Sequence, residues 1–70
     1  MENIYIRDEF IKLGQALKLS GAAGSGVDAK MIIQDGLVKV NGSVCVQRGK
    51  KLVDGDVIDF DGNEYIIKCN

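Results

Sequence analysis

The stretch from Ser20 to Val40, SGAAGSGVDAKMIIQDGLVKV, constrains the fold more than any other part of the chain, because its hydrophobic period changes from helical to extended across one glycine. Ser25 is placed to accept a hydrogen bond from the first turn of a helix. Asp28, three residues on, can answer the Ser25 backbone and complement the positive helix end, as in a capping box. The helix is therefore expected to start near Gly26. Ala29, Ile32 and Ile33 form its apolar stripe, Lys30 and Gln34 lie off that stripe, and Gly36 stands where a left-handed residue would end it. Val38 and Val40 then alternate with Lys39, and Asn41-Gly42 is a type I′ turn signal. A hairpin should follow.

On the N-terminal side, Ile4 and Ile6 alternate with Tyr5 and Arg7, which predicts a strand over residues 3–7. Asp8 is an acceptable N-cap, and the spacing of Leu13, Ala16 and Leu17 predicts a first helix over about residues 11–19. Gly14 inside that helix costs about 1 kcal/mol relative to alanine, so it either permits a close approach or weakens the helix. The small residues 20–24 connect two helices that must pack side by side. Beyond Asn41-Gly42, Val44 and Val46 continue the alternation until Gln47-Arg48-Gly49-Lys50-Lys51 interrupts it with an exposed basic loop. Asp54-Gly55-Asp56 marks a turn, Val57–Phe60 a strand, Asp61-Gly62-Asn63 a second hairpin turn and Tyr65–Lys68 the last strand. The expected fold is α+β: an N-terminal strand, two packed helices and about four short hairpin strands. Residues 1–70 make one domain, without proline, repeats or a linker.

A chain of this length buries only about 60% of its unfolded surface, so no deep substrate cavity is expected. Histidine is absent, no nucleophile has an evident base, and no paired carboxylates share a pocket, all of which argues against an enzyme. Cys45 and Cys69 are too few for a disulfide framework or four-ligand zinc, and are read as reduced, partly buried strand residues. Asp54, Asp56, Asp59 and Asp61 lack the ligand spacing of a calcium loop and are read as a solvated face and turn. No cofactor or metal is expected. Without a long apolar run or leader pattern, a cytoplasmic location is the default.

Net charge is −1, but its distribution is uneven. Residues 1–11 carry −2, residues 52–70 carry −4, and residues 12–51 carry seven cations against two acids, or +5. A basic middle of this kind is the electrostatic footprint of a polyanion binder.

Leu13-Gly14-Gln15-Ala16-Leu17-Lys18, then Ser25, Ala29, Ile33, Gly36, LVKVNG, and finally Leu52-x-x-Gly55-Asp56-Val57-Ile58 resemble the S-four-like RNA-binding domain, named for the fourth protein of the small ribosomal subunit. The resemblance spans roughly residues 11–60. In length, N-terminal strand and QRGKK loop, the chain looks most like the short stand-alone bacterial members, the YaaA and YbcJ group. What this implies is an alpha-L motif, a helix pair with an L-shaped strand arrangement, that binds structured and usually ribosomal RNA. Many members carry a serine-arginine pair at the start of the second helix. Here Gly26 follows Ser25, which removes one expected phosphate contact.

The candidate RNA-binding residues are Lys30, Lys39, Arg48, Lys50 and Lys51, with Ser25 and Gly26 at the helix tip, where backbone amides can attract a phosphate. Lys12, Lys18 and Lys68 are read as ordinary solvated charges. Tyr5, Phe10, Phe60 and Tyr65 are assigned to the core, so recognition is expected through RNA shape and backbone rather than base stacking. Gly24 and Gly26 are read as turn geometry. The expected state is a monomer with no membrane or small-molecule partner. The competing function is a small protein-interaction adaptor that binds through an apolar patch and so survives high salt.

Overall fold

In the computed structural model, which describes residues 1–70, Gly36 marks the passage from a pair of helices to a sheet. Helix α2 spans Gly26–Gln34, and extended Ser25 caps it by accepting the Asp28 N–H on Oγ at 3.2 Å. The return bond from the Asp28 carboxylate is not made. That carboxylate turns toward Gly24, where a Cβ would lie 3.2 Å from Oδ2. At the other end Gly36 has φ +74° and donates to the Ile33 carbonyl at 3.1 Å, while Leu37 N–H reaches the Ile32 carbonyl at 3.3 Å. These two bonds are a Schellman motif, which only a residue comfortable at positive φ can close.

Helix α1 is shorter than its periodicity predicts, covering Leu13–Leu19. Ile11 and Lys12 are instead a strand, β2, paired antiparallel with β5 (Lys51–Leu52), and Lys12 rather than Asp8 is the last extended residue before the helix. The cause lies in another part of the chain. The first two amides of α1 are satisfied by the basic loop, Leu13 N–H by the Lys50 carbonyl at 2.9 Å and Gly14 N–H by the Arg48 carbonyl at 3.0 Å.

The main sheet contains β1 (Glu2–Ile6), β3 (Val38–Val40), β4 (Ser43–Val44), β6 (Val57–Phe60) and β7 (Asn63–Cys69), in the order β1-β7-β6-β3-β4. Every neighbouring pair is antiparallel except β1 and β7, which run parallel with Ile4 beside Ile67. Both hairpins close as their sequences predict. Asn41 and Gly42 have φ +52° and +85°, and Asp61 and Gly62 have φ +54° and +78°, the type I′ signature. Extended pairing ends at Val44, so Val46 is not part of a strand and both valines are exposed. Cys45 is half-buried just past β4, and Cys69 at the end of β7 is exposed rather than half-buried; both are free thiols.

One core joins the layers. Leu13, Ala16 and Leu17 of α1 and Ala29 and Ile33 of α2 meet the inward residues of the strands, among them Ile4, Val38, Ile58 and Ile67. Tyr65 belongs to it and Phe60 packs against it, whereas Tyr5 is 57% and Phe10 38% exposed. The assignment of all four aromatics to the core is thus corrected for two. Alternation explains Tyr5, because Ile4 and Ile6 take the inward positions of β1. Phe10 lies between strands, with the Lys51 ammonium 4.8 Å above its ring centroid.

The acidic turn is structural. Gly55 has φ +92°, Asp56 N–H bonds to the Val53 carbonyl at 3.0 Å, and both flanking carboxylates accept backbone amides. Asp54 Oδ1 takes the Cys69 N–H at 2.7 Å, and Asp56 Oδ2 takes the Val53 N–H at 2.8 Å. No group of three or more metal-ligating side chains is gathered anywhere, and no helix is long and apolar enough to cross a membrane.

Candidate nucleic-acid interface

The Gln47–Lys51 segment folds back over the start of α1, and its contact with Gly14 sets the geometry of the site. A Cβ on Gly14 would lie 2.7 Å from Arg48 Cγ, closer than any real side-chain contact. Glycine here permits a close approach. It lets the Arg48 stem lie against the first turn of α1, resolving the choice left open by the sequence.

Between this segment and the helices is an open cleft of about 330 Å³, lined by Lys12, Gly14, Gln15, Lys18, Gly26 and Arg48. Three cations and the first residue of α2 thus share one concavity, and no acid lines it. Lys12 comes from β2, Lys18 from the last turn of α1 and Arg48 from the loop. The dipole of α2 adds positive potential where Gly26 enters. Gln15 also steadies the approach to α1 by accepting the Lys12 N–H on Oε1 at 3.4 Å.

The expected residues are only partly brought together. Arg48 and Gly26 line the cleft, and Ser25 caps the helix beside it. Lys30, exposed on α2, is four residues beyond Gly26 and therefore on the same helix face, one turn along. Lys50 lines a different groove with Val44 and Val46. Lys51 stands across from Lys12 in the β2–β5 ribbon and covers Phe10. Lys39 projects from β3 with Asp59 as its cross-strand neighbour, so its charge is partly offset. None of these last three lines the cleft.

Lys12 and Lys18, read from the sequence as ordinary surface charges, are the two cations that line the cleft beside Arg48. A signal was available for Lys18, because Gly14 and Lys18 are four apart and share a helix face at the edge of the apolar stripe. Nothing local marks Lys12. Its position follows from the pairing of residues 11–12 with 51–52, a contact between segments far apart in the chain.

Comparison with known proteins agrees with this architecture. The family model described as S4 domain matches residues 4–68. The Bacillus subtilis (strain 168) protein named "Probable ribosome maturation protein RlbA" is 42% identical over 59 residues, covering 84% of this chain and 83% of that one. YbcJ of Escherichia coli (strain K12) is 40% identical over 53 residues, 76% of each chain. The solution structure of YbcJ, described as revealing an alpha-L motif involved in RNA binding, superposes with a TM-score of 0.76 at 31% identity, covering 99% of this chain and 89% of YbcJ. The 30S ribosomal protein S4e from Thermoplasma acidophilum superposes with a TM-score of 0.65 at 28% identity, over 86% of this chain and 32% of its own. With the helix pair, the strands and the turn motifs all in place, the chain belongs to the S4 domain family.

Proposed function

We propose that this protein is a non-catalytic, cytoplasmic binder of structured RNA, ribosomal RNA in particular, that works as a monomer in ribosome assembly or translation. The observation that carries the reading is the acid-free cleft in which Lys12, Lys18 and Arg48 meet the N-terminal end of α2. An RNA backbone supplies phosphates at the spacing of its strand, and flexible cations around a shallow concavity neutralise them without reading bases. Lys30 extends the contact along α2. Lys50, Lys51 and Lys39 form an outer set that meets RNA only where it reaches beyond the cleft. The relatives support the ribosomal part of the reading, since one is named for ribosome maturation and another is a ribosomal protein.

Crosslinking in cells followed by sequencing of the bound RNA tests this directly. Enrichment of defined ribosomal RNA segments is the expected result, and recovery of no RNA above background overturns it. Salt separates this function from that of an apolar adaptor. Phosphate binding is lost by about 0.5 M salt, whereas apolar docking persists.

A further inference from the structure

A second and larger groove, of about 550 Å³, adjoins the cationic cleft and shares Gln15 and Lys18 with it. Its other walls include Tyr5, Arg7, Asp8 and Phe10. Only four aromatic residues occur in the chain, and the two outside the core lie together here. The Phe10 ring carries the Lys51 ammonium over one face, and Lys51 is not part of the groove wall. Tyr5 is the register neighbour of Lys68 on β7, and its hydroxyl accepts the Asn3 side-chain amide at 3.0 Å. The surroundings of the rings are therefore mainly cationic, with Asp8 the one acid in the wall.

We infer that this groove holds an unpaired base of the RNA whose backbone occupies the neighbouring cleft, stacked on Tyr5 or Phe10 with Arg7 and Lys18 at its flanking phosphates. The inference rests on the RNA-binding reading above and deepens it, because it makes the preferred ligand a helix interrupted by an extruded nucleotide rather than a plain duplex. Three features favour a base over an apolar protein side chain. The groove is continuous with the phosphate cleft through Lys18, cations surround its rings, and aromatic faces accept any base without requiring a hydrogen-bond pattern. The groove volume also falls within the range that small ligands fill.

The test uses three labelled RNA hairpins with the same stem: fully paired, with one bulged adenosine, and with an abasic site in place of that adenosine. The expected result is that the bulged hairpin binds about tenfold more tightly than the other two, as one stacked base would give. The double variant Tyr5→Ala/Phe10→Ala should abolish that preference while leaving the affinity for the paired stem unchanged and the thermal unfolding cooperative. Tyrosine fluorescence supplies an independent readout, since the chain has no tryptophan and Tyr65 is only 6% exposed. Quenching by the bulged hairpin, absent with the abasic one and lost in Tyr5→Phe, places the base on Tyr5; a bulge preference lost in Phe10→Ala alone, with no quenching of Tyr5, places it on Phe10, and either supports the inference. Equal binding of all three hairpins overturns the base subsite alone and leaves the groove to a protein side chain. Failure to bind any hairpin overturns the RNA reading with it.

Discussion

Asn41 and Asp56 are hydrogen-bonded to each other, the Asn41 side-chain amide donating to Asp56 Oδ1 at 3.1 Å across 15 residues of sequence. Asn41 Oδ1 also accepts the Val57 N–H at 3.0 Å, and its own backbone N–H reaches the Val57 carbonyl at 2.8 Å. The asparagine of the VNG turn and the aspartate of the GDVI segment are therefore two ends of one clamp. It holds the β3–β4 turn against the start of β6. Asn41 is selected twice, by its tolerance of φ +52° and by a side chain that both donates and accepts.

Replacing Asn41 with glycine keeps the turn conformation and removes both side-chain bonds. Asn41→Gly should cost about 1–2 kcal/mol in denaturant unfolding. A midpoint equal to that of the unaltered protein would show that the clamp contributes nothing.

The cleft makes a quantitative statement about salt. If about four or five cations each neutralise one phosphate, log affinity falls against log salt with a slope of roughly −3 to −4. Lys12→Ala, Lys18→Ala and Arg48→Ala should each reduce its magnitude by about 0.7. Charge reversal at Lys12 and Arg48 should weaken gel-shift binding more than reversal at Lys50 and Lys51, which lie outside the cleft. The opposite order would move the interface to the outer loop.

Gly14 and Arg48 predict a change of sign. In the otherwise unaltered protein Gly14→Ala gains helix propensity but drives a methyl into Arg48 Cγ, for a net destabilisation of about 1 kcal/mol. In an Arg48→Ala background that carbon is gone, and the same substitution should stabilise by up to about 1 kcal/mol. Thermal melts of the four proteins complete the cycle, and identical effects in both backgrounds would rule out the contact.

Ser25 separates folding from binding. Ser25→Ala should lower stability by about 1 kcal/mol through loss of the Asp28 N–H acceptor. Ser25→Asp retains an acceptor and so the stability, but sets a negative charge beside Gly26 and should reduce RNA affinity. Equal affinity for Ser25→Asp and the natural protein would remove the α2 tip from the interface.

Features carried within a few residues were legible in the sequence: the Ser25 cap, the Gly36 stop and both type I′ turns are local backbone preferences that the tertiary structure leaves in place. Pairings between remote segments were not. Residues 11–12 read as the opening of a helix because their partners, residues 51–52, lie across the whole α-helical region. The same pairing brings Lys12 and Arg48 to one cleft, so the shift of the helix boundary and the placement of Lys12 have one origin. Tyr5 and Phe10 lie in or beside apolar alternation and so read as inward, although the parity of Ile4 and Ile6 turns Tyr5 outward. The acids of the 54–56 turn are solvent-accessible as read, but they also accept amides of Val53 and Cys69, bonds that no local pattern announces.

The parallel seam between β1 and β7 orders the chain in time as well as space. Residues 2–6 are synthesised well before residues 63–69, their only strand neighbour, so Ile4 and Ile6 must wait for Tyr65 and Ile67 before they are sheltered. Closing so long a loop is entropically slow, and the edge strand is the piece a young chain completes at the end. Because that strand also carries Tyr5, the proposed base groove matures after the phosphate cleft, which needs only residues 12 to 49 and its bracing ribbon.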